Sequence, residues 1–445
     1  MKLRLARNFE KLNSSYWFFP SLLVAGAIVA ASGMIYLDWI SQTTPLFENH
    51  FFEVSPSGAR ELLSMVGSSA ISVAGVVFSI TMLVLSMSSA QFGPQILGNF
   101  MQHRGTQIVL GTFVGTFVYC LIVLSAVRND RQLLFVPNLA VGLGLVLGIL
   151  SFSLLVYFIH HVSIFVRASH VIHDVGSRME AAVNHAFPER CSDGKAPDKE
   201  FSVTLEKKLD SKGYAVKSIG SGYLQVVDWD ALCGLAVQRN LVMKVDYRPG
   251  HYVIEGSRLM KVLPAESITD KDMMRICDAV LLGSERIYLQ DPEFAVHQLV
   301  QVALRALSSG INDPYTAINC MDRLSAALAH LAGRQLPSRY LRDRQGNIRI
   351  IKNPLTYGGI VDAAFDQLRQ QAAGNAAPTF RLLEVAATLG EQDLPVPFRE
   401  VLKNQIYAIG KLNESHFTDS IDQEDFRERY RRALQTVARG SLRVD

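Results

Sequence analysis

Leu62-Leu-Ser-Met-Val-Gly-Ser-Ser-Ala-Ile-Ser-Val-Ala-Gly-Val-Val-Phe-Ser-Ile-Thr-Met-Leu-Val-Leu-Ser-Met-Ser-Ser89 is a run of apolar and small residues without one ionisable side chain. A helix needs about 20 such residues to cross a hydrocarbon core. Three further stretches of the same kind flank it, at residues 16–40, 108–127 and 133–166. None holds a Lys, Arg or Glu in its interior, and their one Asp, Asp38, lies at the end of its segment. Beyond residue 166 the chain reads as ordinary soluble sequence. The pattern predicts a four-helix transmembrane bundle over residues 1–166 with a large region hung from its last helix.

Lys2, Arg4, Arg7 and Lys11 precede the first run as they would in a signal peptide. The run after them is longer than the ~7–15 residues of a signal peptide's apolar core, so an uncleaved first helix is expected. The loop at 41–61 has Arg60 alone beside Glu48, Glu53 and Glu61, and the loop at 91–107 has Arg104. Arg128 and Arg131 lie in the third loop, and Arg167 and Arg178 follow the fourth run. Lys and Arg concentrate on the cytoplasmic side, which places the N-terminus and the C-terminal region in the cytoplasm. Cys120, Cys191, Cys233, Cys277 and Cys320 show no redox or metal spacing and fit a reducing compartment. A net charge of +3 is too small to imply a nucleic-acid partner. The bilayer is the one partner the composition demands.

Ser68, Ser72, Gly75, Ser79, Ser86 and Ser89 share one face of the second helix. Two readings fit. Small residues let helices approach closely and serines hydrogen-bond across the contact; alternatively, the hydroxyls line a pore. Gly111 with Gly115, and Gly144 with Gly148, have the GxxxG spacing that predicts packing within the bundle. Coupled transporters place ionisable groups at mid-membrane, and these spans have none. Four helices are too few for a wide pore, so a pore requires a homo-oligomer.

Residues 167–200 read as a continuation of the fourth helix towards residue 184 and then a linker. Strands at 214–227 and 241–263, with a short helix at 228–237 between them, predict a small β-sandwich or barrel over residues 201–265. Residues 266–445 read as mostly helical: a helix capped by Thr269 or Asp270 through 282, another at 292–308, and one opened by Asp313-Pro314. A hairpin at 340–352 and helices near 357–371, 379–389, 397–413 and 423–439 complete an α+β region. Arg427, Arg429, Arg431, Arg432 and Arg439 mix with acids on the last helix, as on a solvated face, with a lipid-headgroup patch as the alternative.

Two stretches carry a family resemblance. One is Ala74-Gly-Val-Val-Phe-Ser-Ile-Thr81, continuing through Ser88-Ser-Ala-Gln-Phe-Gly-Pro-Gln95 to Gly111-Thr-Phe-Val-Gly-Thr-Phe-Val-Tyr119. The other is Ala303-Leu-Arg-Ala-Leu-Ser-Ser-Gly-Ile-Asn-Asp-Pro-Tyr-Thr-Ala317. Together the chain resembles the bacterial membrane-protein family known as domain of unknown function 2254 (DUF2254), over nearly its whole length. The resemblance implies the bacterial inner membrane and supplies no activity or catalytic residue.

In the second motif Arg305, Ser308, Asn312 and Asp313 converge on one interhelix turn. They are candidates for a ligand or gating site, beside a structural reading in which Asp313 caps, Pro314 initiates and Arg305 pairs with Asp291 or Asp313. His160, His161, His170, His173 and Asp174 form a histidine-rich collar with too few ligands for a structural metal site. No catalytic motif is present, so no enzyme, metal or cofactor is expected. The reading is an oligomeric channel-like protein, with Ser68, Ser72, Ser79, Ser86 and Ser89 at the pore and the soluble region regulating it. A membrane-anchored sensor or scaffold is the alternative.

Overall fold

A computed structural model describes residues 17–43, 54–93, 104–130, 133–165, 167–187 and 199–439. The basic N-terminal tail, Glu48, Glu53, Pro94, Arg131, Cys191 and most of the expected linker lie outside the described residues. The chain divides into two compact units, residues 1–170 and 171–445.

Four long apolar helices build the first unit: α1 (Phe18–Thr43), α2 (Pro56–Phe92), α3 (Arg104–Ala126) and α4 (Asn138–Phe165). Ser55 starts α2, its hydroxyl accepting from the Gly58 N–H at 3.1 Å, with Pro56 at the first helical position. The 37 residues of α2 span about 55 Å, well beyond the ~30 Å of a hydrocarbon core. α4 starts at Asn138 rather than at 133. Leu133–Phe135 (β2) pairs instead with Arg128–Asp130 (β1), and Pro137 turns the residue before it away from helix.

Both GxxxG pairs lie at helix contacts inside this bundle. A Cβ on Gly111 would fall 2.8 Å from the Pro20 backbone of α1, and one on Gly148 would fall 3.0 Å from the Val66 side chain of α2. At one end, polar groups tie the helices together. Asp38 of α1 accepts from the Leu139 and Ala140 N–H groups of α4 at 3.0 and 2.9 Å, satisfying two donors of that helix start. The Tyr119 hydroxyl donates to the Ala140 carbonyl at 2.8 Å, and Arg60 donates to the Val127 carbonyl at 2.8 Å.

The expected continuation of the fourth helix is a second helix, α5 (Ala168–Ala186), with Arg167 outside both. In the second unit α5 buries Val171, Ile172, Val175, Met179 and Val183, the one-sided spacing of an amphipathic helix. α6 (Lys199–Lys212) leads into β3 (Tyr214–Lys217), β4 (Gly222–Val227), α7 (Trp229–Gln238), β5 (Val242–Val245), β6 (Tyr252–Val253) and β7 (Arg258–Leu263). α8 (Asp270–Asp278) comes next, capped by Thr269 and Asp272 in reciprocal bonds. It stops short of the predicted residue 282, because Val280–Gly283 (β8) pairs with β4. β9 (Tyr340–Arg342) and β10 (Ile348–Ile351) form the predicted hairpin.

The strands of the second unit form two open sheets, and the expected small β-sandwich or barrel does not exist. One sheet runs β3-β7-β5-β10-β9 and the other β6-β4-β8. Neither closes on itself among the described residues; β3 and β9 remain edges of the larger one. The reason is that helices cover the larger sheet. Leu205 and Leu209 of α6 pack with Val242, Leu263, Ile348 and Ile351 on one face. Leu232, Leu235 and Ala236 of α7, with Ile276 of α8, enter the core that holds Met243, Val245, Met260, Val262 and Ile350. Buried residues alternate with partly exposed ones along the strands, as with Met243 and Val245 of β5 on either side of Lys244.

Six helices complete the described part of the unit: α9 (Pro292–Ala306), α10 (Pro314–Ala332), α11 (Tyr357–Gln371), α12 (Ala376–Gly390), α13 (Val396–Asn413) and α14 (Ser420–Arg439). α9 packs on α10 and α11, α10 on α12, α11 on α13, and α14 on α12 and α13. The arginines of α14 bond across helices: Arg429 to Glu384 at 3.1 Å and Arg432 to Glu391 at 3.4 Å.

Candidate functional site

The serine face of α2 is turned out of its own bundle. Ala59, Leu63, Gly67, Ala70, Ala74 and Val77 make the inward face, whereas Ser68, Ser72, Gly75, Ser79 and Ser86 are exposed and Ser89 is half-buried. Among the described residues, packing within the bundle therefore uses Leu63, Val77, the alanines and Gly67 rather than Ser68, Ser72, Ser79 and Ser86. Ser68, Ser72 and Ser79 donate to the carbonyls of Ser64, Ser68 and Gly75 at 2.6–2.8 Å. Each hydroxyl proton is thereby satisfied along the helix, while the oxygen keeps acceptor capacity directed outward.

The turn between α9 and α10 is a compact local structure. Asp313 accepts from the Thr316 hydroxyl at 2.6 Å and the Thr316 N–H at 3.1 Å. The hydroxyl bond, then the backbone bond, hold its carboxyl below the usual range. Ser308 donates to the Arg305 carbonyl at 2.6 Å, and the Asn312 N–H to the Ser308 carbonyl at 2.9 Å. Asn312 takes φ +50°, a left-handed conformation that Asn tolerates better than most residues. The Asp313 N–H closes the turn on the Ala306 carbonyl of α9 at 2.7 Å, so backbone bonds, and not a side-chain pair of Ser308 with Asp313, hold the two stretches together. Ile311 and Tyr315 beside them are exposed, Tyr315 by 77%.

A second polar cluster, absent from the sequence-level expectations, lies at the start of α9. Asp291 is 1% exposed. It receives a bidentate pair from Arg286 at 2.7 and 3.0 Å and also caps α9 through the Phe294 N–H at 3.2 Å. Arg286 pairs with Asp291, one of the two carboxylates expected near Arg305. Arg286 Nη1 meets His297 Nδ1 at 3.0 Å, which makes that nitrogen the acceptor, since a guanidinium has no lone pair to offer. Arg248 donates to Glu293 at 2.9 Å. Between β5 and β6 the chain turns at Gly250 with φ +95°, so close that a Cβ would collide with the Asp291 carboxylate. Burial holds both His297 and His251 below the usual imidazole range, with Arg286 and Arg248 respectively adding to it. The available sequence signal was Asp291-Pro292, the same cap-and-proline pair as Asp313-Pro314.

Within α5, Asp174 bonds Arg178 at 3.1 Å, and His170 and His173 are exposed. On its other side α5 meets α10: Asn184 Oδ1 lies 2.6 Å from His330 Nε2 and accepts from Arg334.

Comparison with known proteins now places the chain. The family described as predicted membrane protein, DUF2254, matches residues 13–388. The chain belongs to the DUF2254 family. Similar proteins include the uncharacterized proteins Rv1290c of Mycobacterium tuberculosis and Mb1321c of Mycobacterium bovis. Each is 29% identical over 435 residues, covering 97% of this chain and 82% of the relative. No solved structure matches. This DUF2254 protein is thus a predicted bacterial multi-pass membrane protein with four candidate spans among the described residues. Both sequence motifs fall inside the DUF2254 match, whereas α13 and α14 lie beyond it.

Proposed function

We propose that this protein is the subunit of a homo-oligomeric, channel-like protein of the bacterial inner membrane. In this reading the Ser68, Ser72, Ser79, Ser86 and Ser89 face of α2 lines a polar path between copies. The N-terminus and the second unit lie in the cytoplasm, and the second unit regulates the path without catalysing a reaction. One observation carries the proposal: a hydroxyl-bearing face within a membrane span is directed away from its own bundle. A surface meant only for lipid has no use for a row of outward acceptors.

A second reading is favoured by the docking of α5, which follows α4 after a two-residue break and is bonded to α10 through Asn184. A sensor or scaffold would use that link to pass a state between membrane and cytoplasm with no transport. Ion flux through the full chain in liposomes separates the two. The channel reading expects an oligomer in detergent and a flux that Ser72→Leu with Ser79→Leu reduces by at least about tenfold, since desolvating an ion without acceptors raises its barrier by more than 1.4 kcal/mol. A strict monomer, or liposomes without flux, overturns it in favour of the scaffold.

A further inference from the structure

The membrane unit holds a groove of about 420 Å³ that the serine face does not use. Its walls include Ala70 and Val73 of α2, Phe113 of α3, and Leu145, Gly148 and Leu155 of α4. Ser69 and Ala70 leave room that larger side chains would fill. The volume falls within the ~300–1,000 Å³ of ordinary ligand sites.

The lining dictates the chemistry of an occupant. No charged residue contributes to it. Its hydroxyls are already engaged: Ser69 donates to the Met65 carbonyl at 2.7 Å, and Ser151 hydrogen-bonds Thr116 at 3.2 Å. A polar solute entering here would lose hydration and gain no partner in exchange. A hydrocarbon chain loses nothing and gains dispersion contacts along every wall. At the mouth stand Met65, Ile149 and Phe152, the last 69% exposed. All three belong to candidate membrane spans, so the groove is continuous with the surface that meets the bilayer. Hydrocarbon is the solvent at that depth.

We propose that this groove binds one acyl chain of a bilayer phospholipid. The site lies on α2 about a third of a turn from the serine face, at 3.6 residues per turn. Lipid at the groove and copies at the serine face are therefore compatible, and either can fail without the other.

The test places the full chain in phosphatidylglycerol–phosphatidylethanolamine vesicles doped with a phospholipid carrying a photoactivatable diazirine in its acyl chain. After irradiation and digestion, adducts should concentrate several-fold on the groove residues of α4 over the exposed Val76 and Leu83 of α2. Ser69→Trp, which places a large side chain in the groove, should remove that excess, whereas Leu83→Trp should keep it. Met65→Trp serves the same purpose should Ser69→Trp fail to fold. Equal labelling of groove and exposed positions overturns the proposal, because it describes ordinary surrounding lipid. A disulfide between two copies of a Ser69→Cys chain also overturns it, because a second copy then occupies the groove.

Discussion

Asp38 in the membrane unit and Asp291 in the second unit are both buried carboxylates, 3% and 1% exposed, and both satisfy the start of a helix. They differ in company. Asp38 receives the Leu139 and Ala140 N–H groups of α4, where the helix's own partial positive charge favours an anion. Asp291 receives one such N–H and, in addition, the full charge of Arg286. The difference shows two ways of keeping a carboxylate inside. A membrane bundle meets it with backbone dipoles, which add no second ion to desolvate. The second unit uses a guanidinium, which is stronger in contact but leaves another buried charge if the carboxylate goes.

Removal should therefore hurt the two units unequally. Asp291→Ala strands Arg286 against Phe294 and His297, and breaking a buried pair from one side costs about 3–5 kcal/mol. Arg286→Met with Asp291→Leu should recover much of that loss, since the orphaned charge disappears. Asp38→Ala orphans two N–H groups without leaving an ion, so about 2 kcal/mol is expected. The buried thiols of Cys120 in the first unit and Cys320 in the second report each loss separately. In chains keeping one of them alone, thiol labelling on heating should shift for Cys320 with Asp291→Ala and for Cys120 with Asp38→Ala. Equal shifts from the two single substitutions would erase the distinction between dipole and guanidinium.

Acidification sharpens the same contrast with a smaller effect. His251 and His297 hold imidazole pKa values depressed by burial next to Arg248 and Arg286. The unfolded chain takes up these protons near pH 6.5 and the folded chain only below that. Between the two values the unfolded state binds more protons, so stability is complete above about pH 6.5 and declines as pH falls. Each histidine contributes at most about 1.4 kcal/mol per pH unit. Thermal scans from pH 7.5 to 5 should show the Cys320 transition falling, and His297→Asn should flatten that slope. An unchanged slope would mean that burial beside Arg286 does not depress the His297 imidazole.

The carboxylates also show what could be read in advance. Asp313-Pro314 and Thr269 announced helix starts because a cap is a local event. The four spans were legible for the same reason: length and apolarity need no partner. The rotation of α2 was not, since contacts of Gly67 with Cys120 and of Val66 with Gly148 decide which face turns inward. Residues 280–282 fit helix as well as strand, because a short apolar run suits either state until a partner is known, and β4 is that partner. The barrel failed on a longer range: β10 joins β5 in parallel, Ile350 beside Met243, a pairing no local signal encodes. Arg286 was missed because its significance depends on Gly250 and His297, brought to it only by the fold.

Asp313 extends the comparison to a third helix start and to the smallest effect. It caps α10 as Asp291 caps α9, yet it is half-buried and its hydrogen bonds come from Thr316 rather than from a cation. Asp313→Ala should then cost about 1 kcal/mol, an ordinary cap, and Asp313→Asn less, because Asn accepts the same N–H bond. The depressed carboxyl adds that the wild-type loses this increment in acid, as pH falls through the ordinary Asp value of about 3.9 and below. The Cys320 labelling transition checks the size. If both variants keep near-native stability but abolish flux, or any cellular phenotype of the gene, the turn does more than cap a helix, and exposed Ile311 and Tyr315 beside it become the first residues to substitute. If phenotype follows stability alone, the motif is a fold device and the regulatory contact lies elsewhere in the second unit.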